Sequence, residues 1–436
     1  MIAARDVAIA RRDPGLPGLA TVLDPEALAA LLPASMRHLE SADIAYVRYK
    51  PGQNCVVGYC AQGDAVVKAY AKAHKAGARA REQSTQPDEG GRQRFVVNEG
   101  AVSVSVFPAD AKLKSLRKLT TGESLAHLLK HLIPGRAGLW SATPRALRYM
   151  PERRYVAQLV AHDRAEAVFK AYSAEDYPRA AANADAFQSH GRVRVAPLLA
   201  QSDRHRALVF EWIQGRVLSD AVADPEFDVR ELRVAGATLA ELHGVESGAL
   251  KRTTRADEAA TLRAAGAHLR ILCPDLAPRL GALVRRLAGH LEQSPPLDLP
   301  IHGDFNPTQV VLTNGVVTLI DLDRSVRGDP ALDLGNFLAH LEHDVLIGHL
   351  PADRLGPLRD ALLAGYRGER GSVPAGLEPY VAVGLLRLAP HPFRFRYHDP
   401  DWPECIEAIL GRAEEIANDA GLGPGARADH AERRAD

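Results

Sequence analysis

The residues best suited to chemistry lie in the stretch 301–325, IHGDFNPTQVVLTNGVVTLIDLDRS. Asp304 ends an apolar, strand-like run, Gln309 follows five residues later, and Asp321 comes just after a second apolar run. Carboxylate and amide oxygens are the ligands that Mg²⁺ prefers, usually together with substrate phosphates. Phosphoryl transfer needs such a metal and a carboxylate that receives or orients the proton of the acceptor hydroxyl. The stretch therefore indicates magnesium-dependent phosphoryl transfer.

The local pattern predicts how these side chains are positioned. Asn314-Gly315 separates two alternating apolar runs, which is a strong signal for a two-residue β-hairpin. We expect Asp304 at the end of one strand and Asp321 just past the hairpin, so that the two carboxylates converge near one edge. From Val217 onward, apolar residues recur at helical spacing, as in DVRELRVAGATLAELHGV and LGALVRRLAGHLEQ. The site is therefore expected in a mainly helical region.

An internal repeat precedes this region. VRYKPGQNCVVGYCAQGDAVVKAY (47–70) and LRYMPERRYVAQLVAHDRAEAVFKAY (147–172) share R-Y-x-P, an alternating strand, a polar turn and a strand ending in Lys-Ala-Tyr. This alignment matches Lys68 with Lys170. An alanine-rich helical stretch and two strands follow each lysine. We interpret the pattern as one sheet-and-helix unit present twice, with chance similarity between two β-rich segments as the alternative.

Composition bounds the class of protein. The 436 residues include 54 basic and 54 acidic side chains and are 46% hydrophobic, which is typical of a soluble globular protein with more than one substructure. The balanced charge gives no reason to propose a nucleic acid or an anionic membrane as partner. No apolar run reaches membrane-spanning length, and the four cysteines lack metal-ligand spacing. We therefore predict a cytoplasmic protein, either a monomer or a homodimer.

The motifs together resemble a known group of enzymes. H-G-D, the following Gln309, LIDLD, GDPALDLGNFL and the upstream AGATLAELHG are similar to the aminoglycoside phosphotransferase and choline kinase group of small-molecule kinases, over roughly residues 145–410. Most members have Asn at the position of Gln309. Gln at this position and an extra N-terminal region resemble the maltokinase-like branch.

The resemblance implies an α+β fold. We expect a bilobal, protein-kinase-like arrangement of a small β-rich lobe and a large helical lobe, with an extra N-terminal domain resembling a duplicated small lobe. The predicted boundaries are an N-terminal cap domain at 1–140, the kinase small lobe at 141–215, the helical catalytic lobe at 216–420 and a disordered tail at 421–436.

The resemblance also implies roles in the catalytic loop. Asp304 is expected to be the catalytic base, and Gln309 and Asp321 are expected to hold Mg²⁺. Apart from the resemblance, we expect His302 to brace the loop by hydrogen bonding, with titration in the mechanism as the alternative. We expect Asp333 to cap or anchor the loop backbone, with metal binding as the alternative. Two further departures from the usual motif are Asn306, where His is common, and Thr308, where Gly is common.

The nucleotide side follows from the same resemblance. Lys170 is expected to bind the α- and β-phosphates of ATP. Phe210 would lie beside the adenine, and the Glu211 carbonyl and the Ile213 amide would bond to it. Only the second copy of the repeat runs directly into the catalytic region, so chain order favours Lys170 over Lys68 as the nucleotide lysine.

Several assignments stay open at this stage. The acidic partner of Lys170 is Asp185 or Glu175. Arg153 and Arg154, in the turn that would cover the phosphates, are either phosphate ligands or ordinary exposed arginines.

The expected function is transfer of the γ-phosphate of ATP to a hydroxyl of a small molecule, most simply a sugar or amino sugar. The segment RLAPHPFRFRYHDPDWPE should border the acceptor cleft, and its arginines and aromatic residues suit a neutral or anionic hydroxylated acceptor. The alternatives are an antibiotic kinase of the aminoglycoside type and a catalytically inactive binding or scaffold protein.

Overall fold

The computed structural model describes residues 3–64, 66–78, 94–120, 122–245, 247, 250–396 and 401–423. The predicted disordered tail therefore lies almost wholly outside the described residues. The chain forms two compact units. The first comprises Met1–Pro178, Leu198–Trp212 and Pro392–Trp402, and the second comprises Arg179–Pro197, Ile213–His391 and Pro403–Asp436. The four-part division predicted from the sequence remains a proposal.

The first unit contains two antiparallel sheets of five strands each. The first sheet has the order β1-β2-β3-β5-β4 and is built from β1 Asp43–Lys50, β2 Asn54–Cys60, β3 Ala69–His74, β4 Arg94–Val97 and β5 Val102–Val106. The second sheet has the order β6-β7-β8-β10-β9 and is built from β6 Thr143–Met150, β7 Arg154–Ala161, β8 Arg164–Tyr172, β9 Leu198–Ser202 and β10 Ala207–Glu211. The strand order is the same in both, as expected for a duplicated unit.

Helices precede each sheet in the same way. The helices before the first sheet are α1 Ala4–Arg12, α2 Leu19–Leu23 and α3 Pro25–Ala30, and those before the second are α4 Leu116–Thr120 and α5 Gly122–Leu132. One hydrophobic cluster contains buried side chains of both sheets and of α4 and α5, among them Val56, Tyr70, Leu116, Leu125, Phe169 and Val209. The two copies are therefore joined by a common core.

One aspartate, upstream of α2 in the first copy and of α4 in the second, binds the first hairpin of each copy. In the first copy, Asp13 Oδ2 accepts hydrogen bonds from the Tyr49 hydroxyl (2.8 Å) and from the backbone N–H of Gly52 (2.8 Å). Gly52 lies in the β1–β2 turn with a φ of 64°.

The second copy repeats this arrangement with different residues. Asp110 Oδ2 accepts from the Tyr149 hydroxyl (2.7 Å) and from the backbone N–H of Glu152 (2.8 Å). Glu152 takes the left-handed conformation of Gly52, with a φ of 60°. The repeated unit thus begins no later than this aspartate, which lies before α2 in the first copy and before α4 in the second, well upstream of the R-Y-x-P motif.

Strand register identifies the true counterpart of Lys170. Lys170 on β8 lies opposite Val156 on β7, and Lys72 on β3 lies opposite Val56 on β2. Val56 and Val156 occupy the same position after the R-Y-x-P motif. Lys72 is therefore the structural equivalent of Lys170, and the alignment of Lys68 with Lys170 was wrong.

The error has a physical origin in the connection between the strands. Lys68 precedes β3 and forms an exposed ion pair with Asp64, with Nζ 3.3 Å from Oδ2. Eight residues, 61–68, join β2 to β3, whereas only His162 and Asp163 join β7 to β8. The longer connection carries Lys-Ala-Tyr of the first copy to the start of its strand.

The second unit is mainly helical. The remaining helices of the described chain are α6 Tyr177–Asn183, α7 Leu218–Val222, α8 Val229–Leu242, α9 Arg255–Leu272, α10 Ala277–Gln293, α11 Ala331–Leu346, α12 Ala352–Arg370, α13 Leu377–Leu388, α14 His391–Arg394 and α15 Trp402–Ala417. Local sequence starts several of them; for example, Thr254 and Asp257 form a reciprocal capping box at the start of α9. Among the described residues, no helix combines the length and the apolar character needed to cross a membrane.

Two small sheets carry the loops of interest in this unit. They are built from β11 Arg216–Val217, β12 Leu299–Ile301, β13 Val310–Thr313, β14 Val316–Leu319 and β15 Val326–Gly328, in the orders β11-β13-β14 and β12-β15. The predicted hairpin is confirmed, because β13 pairs with β14 across Asn314 (φ 50°) and Gly315 (φ 78°). The α+β fold class expected from the sequence is also confirmed.

Candidate active site

The loop that carries Asp304 is hydrogen-bonded to one buried carboxylate. Asp333, in the first turn of α11, accepts the backbone N–H of His302 through Oδ2 (2.7 Å) and that of Gly303 through Oδ1 (2.8 Å). Both amides immediately precede Asp304 and lie beyond the end of β12. The predicted anchoring role of Asp333 is confirmed.

A buried histidine completes the surroundings of this carboxylate. His243, just after α8, places Nε2 3.1 Å from Asp333 Oδ2, and its Nδ1 lies 3.0 Å from the Tyr366 hydroxyl. Asp333 and His243 are fully shielded from solvent. Burial raises the pKa of Asp333, but the hydrogen bond and charge of His243, with further contributions from His302, outweigh it and hold the pKa below its usual value. Asp333 is therefore held as a carboxylate, the form that accepts all these bonds.

The backbone of Ile320 connects the Asp304 loop to the two predicted metal ligands. Its carbonyl lies 3.0 Å from His302 Nε2, and its N–H donates to the carbonyl of Gln309 (3.0 Å). Gln309 immediately precedes β13 and Asp321 follows Ile320, so both stand at the open end of the same hairpin. The bracing role predicted for His302 is confirmed, and the structure brings Asp304, Gln309 and Asp321 into one local cluster of loops.

Gln309 is held by a compact turn. Asn306 Oδ1 accepts from both the backbone N–H (2.9 Å) and the hydroxyl (2.6 Å) of Thr308, while Asn306 Nδ2 donates to the Asp304 carbonyl (2.8 Å). Gln309 Nε2 donates in turn to the Thr308 hydroxyl (3.2 Å). The two unusual residues of the motif, Asn306 and Thr308, thus stabilise the loop itself. The amide nitrogen of Gln309 is engaged, which leaves Oε1 as the atom suited to a cation.

Asp321 adopts a conformation that few non-glycine residues take. Its backbone is left-handed, with φ 60° and ψ 47°, and it starts the 3₁₀ turn Leu322–Arg324. Such strained residues concentrate at functional sites, where the surrounding structure enforces them. Within the described ranges, no group of three or more His, Cys, Asp or Glu side chains is placed to hold a metal ion. The predicted pair of Gln309 and Asp321 instead offers hard oxygen donors, which suit Mg²⁺ bound together with substrate phosphates.

Positive charge surrounds Asp304. Arg324 Nε lies 3.6 Å from Asp304 Oδ2, and Arg179 donates to the Arg324 carbonyl. On α13, Arg387 is partly buried; burial lowers the pKa of its guanidinium and the charge of Asp304 opposes this shift. Sequence analysis missed Arg324 and Arg179. Arg324 directly follows the LIDLD motif, which could have drawn attention to it, whereas Arg179 lies in no recognised motif.

The nucleotide residues of the first unit lie on adjacent strands. Lys170 is 7% exposed, and its Nζ lies 5.1 Å from the ring centroid of Phe210, two residues along β10 from its cross-strand neighbour. Glu211 ends β10, and its side chain lies 3.6 Å from Arg136 Nη2. The structure thus places Lys170, Phe210 and Glu211 together.

The predicted hinge coincides with the division between the units. Trp212 is the last residue of the first unit's segment and Ile213 begins a segment of the second. Trp212 remains bound to the second sheet, since its N–H donates to the Glu166 carbonyl (3.1 Å). The chain crosses between the units at several points, and the hinge stays a prediction.

Other charged residues predicted near the nucleotide have local partners. Arg153 binds both carboxylate oxygens of Asp176 at 3.2 and 3.0 Å, so it has a structural partner within the first unit, and the alternative of a phosphate ligand stays open. Asp185 is exposed and accepts from Gln188. Asp185 and Glu175 both remain open as the partner of Lys170.

The arginine-rich segment near α14 also has a structural role. Arg396 forms a buried ion pair with Asp6 and lies over the rings of Phe393 (4.4 Å) and Trp402 (5.8 Å). Arg396 is thus removed from the predicted acceptor surface. Residues 397–400 of that surface lie outside the part of the chain that the structure describes.

A substitution at Gly303 tests whether the backbone of the Asp304 loop must take its observed conformation. Its φ is 77°, and a Cβ there would lie 2.3 Å from the Arg324 carbonyl oxygen. Gly315 has a φ of 78°, but a Cβ there would meet nothing within 4 Å. We expect Gly315→Ala to cost about 1–2 kcal/mol from backbone strain alone. Gly303→Ala should cost more and displace Asp304; equal costs in urea unfolding would contradict this view of the loop.

The charge of Asp333 predicts a pH-dependent contribution to stability. Because its folded-state pKa is depressed, this contribution is complete above the unfolded value of about 3.9 and is lost as the pH falls through the folded-state pKa. Asp333→Asn should cost about 3–5 kcal/mol at pH 7, since it disrupts a buried pair. Urea unfolding from pH 7 to pH 3 should show the difference from the parent shrinking below about pH 4. The exposed control Asp353→Asn should differ little from the parent throughout, and a pH-independent cost for Asp333→Asn would contradict the assignment.

Comparisons with known proteins agree with these features. The family model described as "Phosphotransferase enzyme family" matches residues 133–380, more than half of the chain. No curated protein sequence matches. A thermostable mutant of aminoglycoside phosphotransferase APH(4)-Ia, in a complex with AMP-PNP and hygromycin B, is 13% identical, with 69% of this chain and 99% of that chain covered and a TM-score of 0.48.

Two kinases of small amino alcohols give similar values. Choline kinase from Cryptosporidium parvum Iowa II is 10% identical over 70% of this chain and 98% of that chain, with a TM-score of 0.49. A choline/ethanolamine kinase family protein from Mesorhizobium loti is 17% identical over 68% and 95%, with a TM-score of 0.43. The family assignment rests on the sequence match, and the likeness to the maltokinase-like branch remains a prediction. The chain belongs to the phosphotransferase enzyme family and is a small-molecule phosphotransferase with a hydroxyl acceptor.

Proposed function

We propose that this phosphotransferase moves the γ-phosphate of ATP to a hydroxyl of a sugar or amino sugar. The observation that carries the proposal is the double hydrogen bonding of the Ile320 backbone, to His302 and to Gln309. It holds the predicted base Asp304 beside the predicted metal ligands Gln309 and Asp321, which is the combination that phosphoryl transfer requires.

Each residue has a stated task in this mechanism. Asp304 accepts the proton of the acceptor hydroxyl as the oxygen attacks the γ-phosphorus and the bond to the bridging oxygen of ADP breaks. The Asn306 side chain fixes the Asp304 carbonyl and so limits movement of the loop. Gln309 Oε1 and the Asp321 carboxylate would hold Mg²⁺, which supplies neutralisation of the phosphate charge when bound.

Lys170 and Phe210 of the first unit are the proposed nucleotide side chains. The Lys170 ammonium would bind the α- and β-phosphates, and its position against the Phe210 ring supports this role because a cation held by an aromatic face is pre-oriented. The carbonyl of Glu211, at the end of β10, and the amide of Ile213, two residues further on, would bond to adenine.

The charge around Asp304 favours the acceptor class. Arg324 and Arg387 bring two positive charges close to Asp304, and an amine of a polycationic antibiotic next to them would meet like charge. A neutral sugar meets no such penalty, and a sugar with one amine meets a small one. The antibiotic kinase is therefore the second candidate, and the intact cluster of Asp304, Gln309 and Asp321 argues against an inactive scaffold.

An acceptor screen tests the proposal. Purified protein with MgATP would be offered glucose, maltose, glucosamine and kanamycin, with phosphorylated product measured by mass spectrometry. We expect a sugar or amino sugar to be phosphorylated, and Asp304→Asn to lower kcat by about 100- to 10,000-fold while the Kd for ATP is kept. Robust phosphorylation of kanamycin with none of the sugars would establish the second candidate instead. Near-parental turnover by Asp304→Asn would remove the base assignment.

The metal assignment has a separate test. Gln309→Ala should raise the Mg²⁺ concentration needed for ADP-dependent thermal stabilisation by at least about tenfold, because loss of even a supporting residue at a metal site has effects of this size. Gln309→Asn keeps an amide oxygen and should lie between Gln309→Ala and the parent. If Gln309→Ala matched the parent in this titration, Gln309 would not be a ligand.

A further inference from the structure

Glu152 is an unusual residue at the tip of the β6–β7 turn. It is 3% exposed and has a φ of 60°, a conformation that glycine adopts far more readily than glutamate. The equivalent position in the first copy is indeed a glycine, Gly52, with a φ of 64°. A charged side chain here bears both backbone strain and burial, so it requires a compensating interaction.

Two cations of the first copy supply that interaction. Lys72 Nζ lies 2.9 and 2.8 Å from the two carboxylate oxygens of Glu152, and Arg48 Nη2 lies 3.2 Å from Oε2. Side-chain exposure is 18% for Lys72, 14% for Arg48 and 2% for Glu152. Ion pairs this well shielded hold their geometry far better than exposed ones, because breaking them leaves an uncompensated charge.

Lys72 is the structural equivalent of the lysine that is proposed to bind ATP. Lys72 lies opposite Val56 just as Lys170 lies opposite Val156, so Lys72 is the first copy's version of the proposed ATP lysine. In the first copy this position contacts a carboxylate supplied by the second copy. The anion bound by Lys72 is thus a side chain of the same protein, the Glu152 carboxylate.

The Glu152 turn also borders the proposed phosphate-binding lysine. Arg154, at the end of this turn, pairs with Tyr172 on β8, two residues beyond Lys170 on the same strand. A displacement of the turn would therefore also displace this end of β7 and β8. The turn is held at two points. The Asp110 carboxylate accepts the backbone N–H of Glu152, and Lys72 and Arg48 bind the Glu152 side chain.

We propose that Glu152 is a positioning residue for nucleotide binding. Lys72 and Arg48 of the first copy hold the β6–β7 turn through Glu152, and this keeps the turn ordered for ATP bound by Lys170. The first copy thereby serves as a support for the nucleotide site and does not bind a nucleotide itself. The inference rests on the proposed role of Lys170 in binding ATP.

The test compares variants of the anchor with matched controls. Glu152→Gln and Lys72→Met each break the ion pair, and the double variant Lys72→Met/Glu152→Gln removes both charges so that neither of these two groups is left as a lone buried charge. Lys72→Arg preserves the pairing. Lys68→Met, at the exposed lysine of the same copy, is the negative control, and Lys170→Met is the positive control. For each protein, the Kd for the magnesium complex of AMP-PNP, the KM values for ATP and acceptor, kcat and Tm would be measured.

A positioning role and a purely structural role give different results. If the turn is ordered in about a tenth of the molecules once the anchor is lost, the apparent Kd and the KM for ATP rise about tenfold. We expect this in Glu152→Gln, Lys72→Met and the double variant, with the acceptor KM and kcat at saturating ATP little changed. Lys72→Arg and Lys68→Met should resemble the parent.

Two outcomes would overturn the inference. A lowered Tm with unchanged nucleotide affinity in the anchor variants would assign Glu152 to stability alone, and the double variant makes that result accessible even if a single variant fails to fold. Failure of the parent itself to bind the AMP-PNP complex, or an unchanged affinity in Lys170→Met, would overturn the proposed nucleotide site together with this inference.

Discussion

The catalytic loop depends on the buried carboxylate of Asp333. It accepts both amides that precede Asp304 and lies against the buried ring of His243. A buried carboxylate is tolerated only when its oxygens are satisfied, so loop and carboxylate require one another. With His302 fixed in this way, its ring meets Ile320, and the hairpin that carries Gln309 and Asp321 is placed in turn. The positions of Asp304, Gln309 and Asp321 thus depend on one buried carboxylate in the first turn of α11.

Sequence reasoning succeeded where local chemistry determines the structure. Asn314-Gly315 predicted the hairpin because few other residue pairs adopt two successive left-handed conformations, and both have positive φ. The α8 and α10 segments followed from helical periodicity, and the roles of Asp333 and His302 followed from their place in the motif. These signals are short-range, so they can be read from a few neighbouring residues. The position of Asp304 near the hairpin end followed from the same local logic.

The failures all concern contacts between distant parts of the chain. Lys68 was matched to Lys170 because three letters agree, whereas strand register selects Lys72, and register depends on a connection whose length differs between the copies. Arg396 was expected at the acceptor surface, and its partner Asp6 lies 390 residues away in the sequence. An arginine's sequence neighbours do not report which carboxylate lies across the fold. The same reason conceals the pairing of Glu152 with the first copy.

The two copies of the duplicated unit share one backbone arrangement but differ in the charge at one turn. Both copies keep the aspartate, the tyrosine that donates to it and the lysine opposite the equivalent valine, so their backbones are constrained alike. They differ at the turn tip, where one copy has Gly52 and the other has Glu152. A cation buried in a sheet must have an anion, and Glu152 gives Lys72 a permanent one. No external phosphate can then bind Lys72 without displacing a carboxylate that the fold holds in place. On this proposal, the different residue at one turn tip separates the tasks of the two copies.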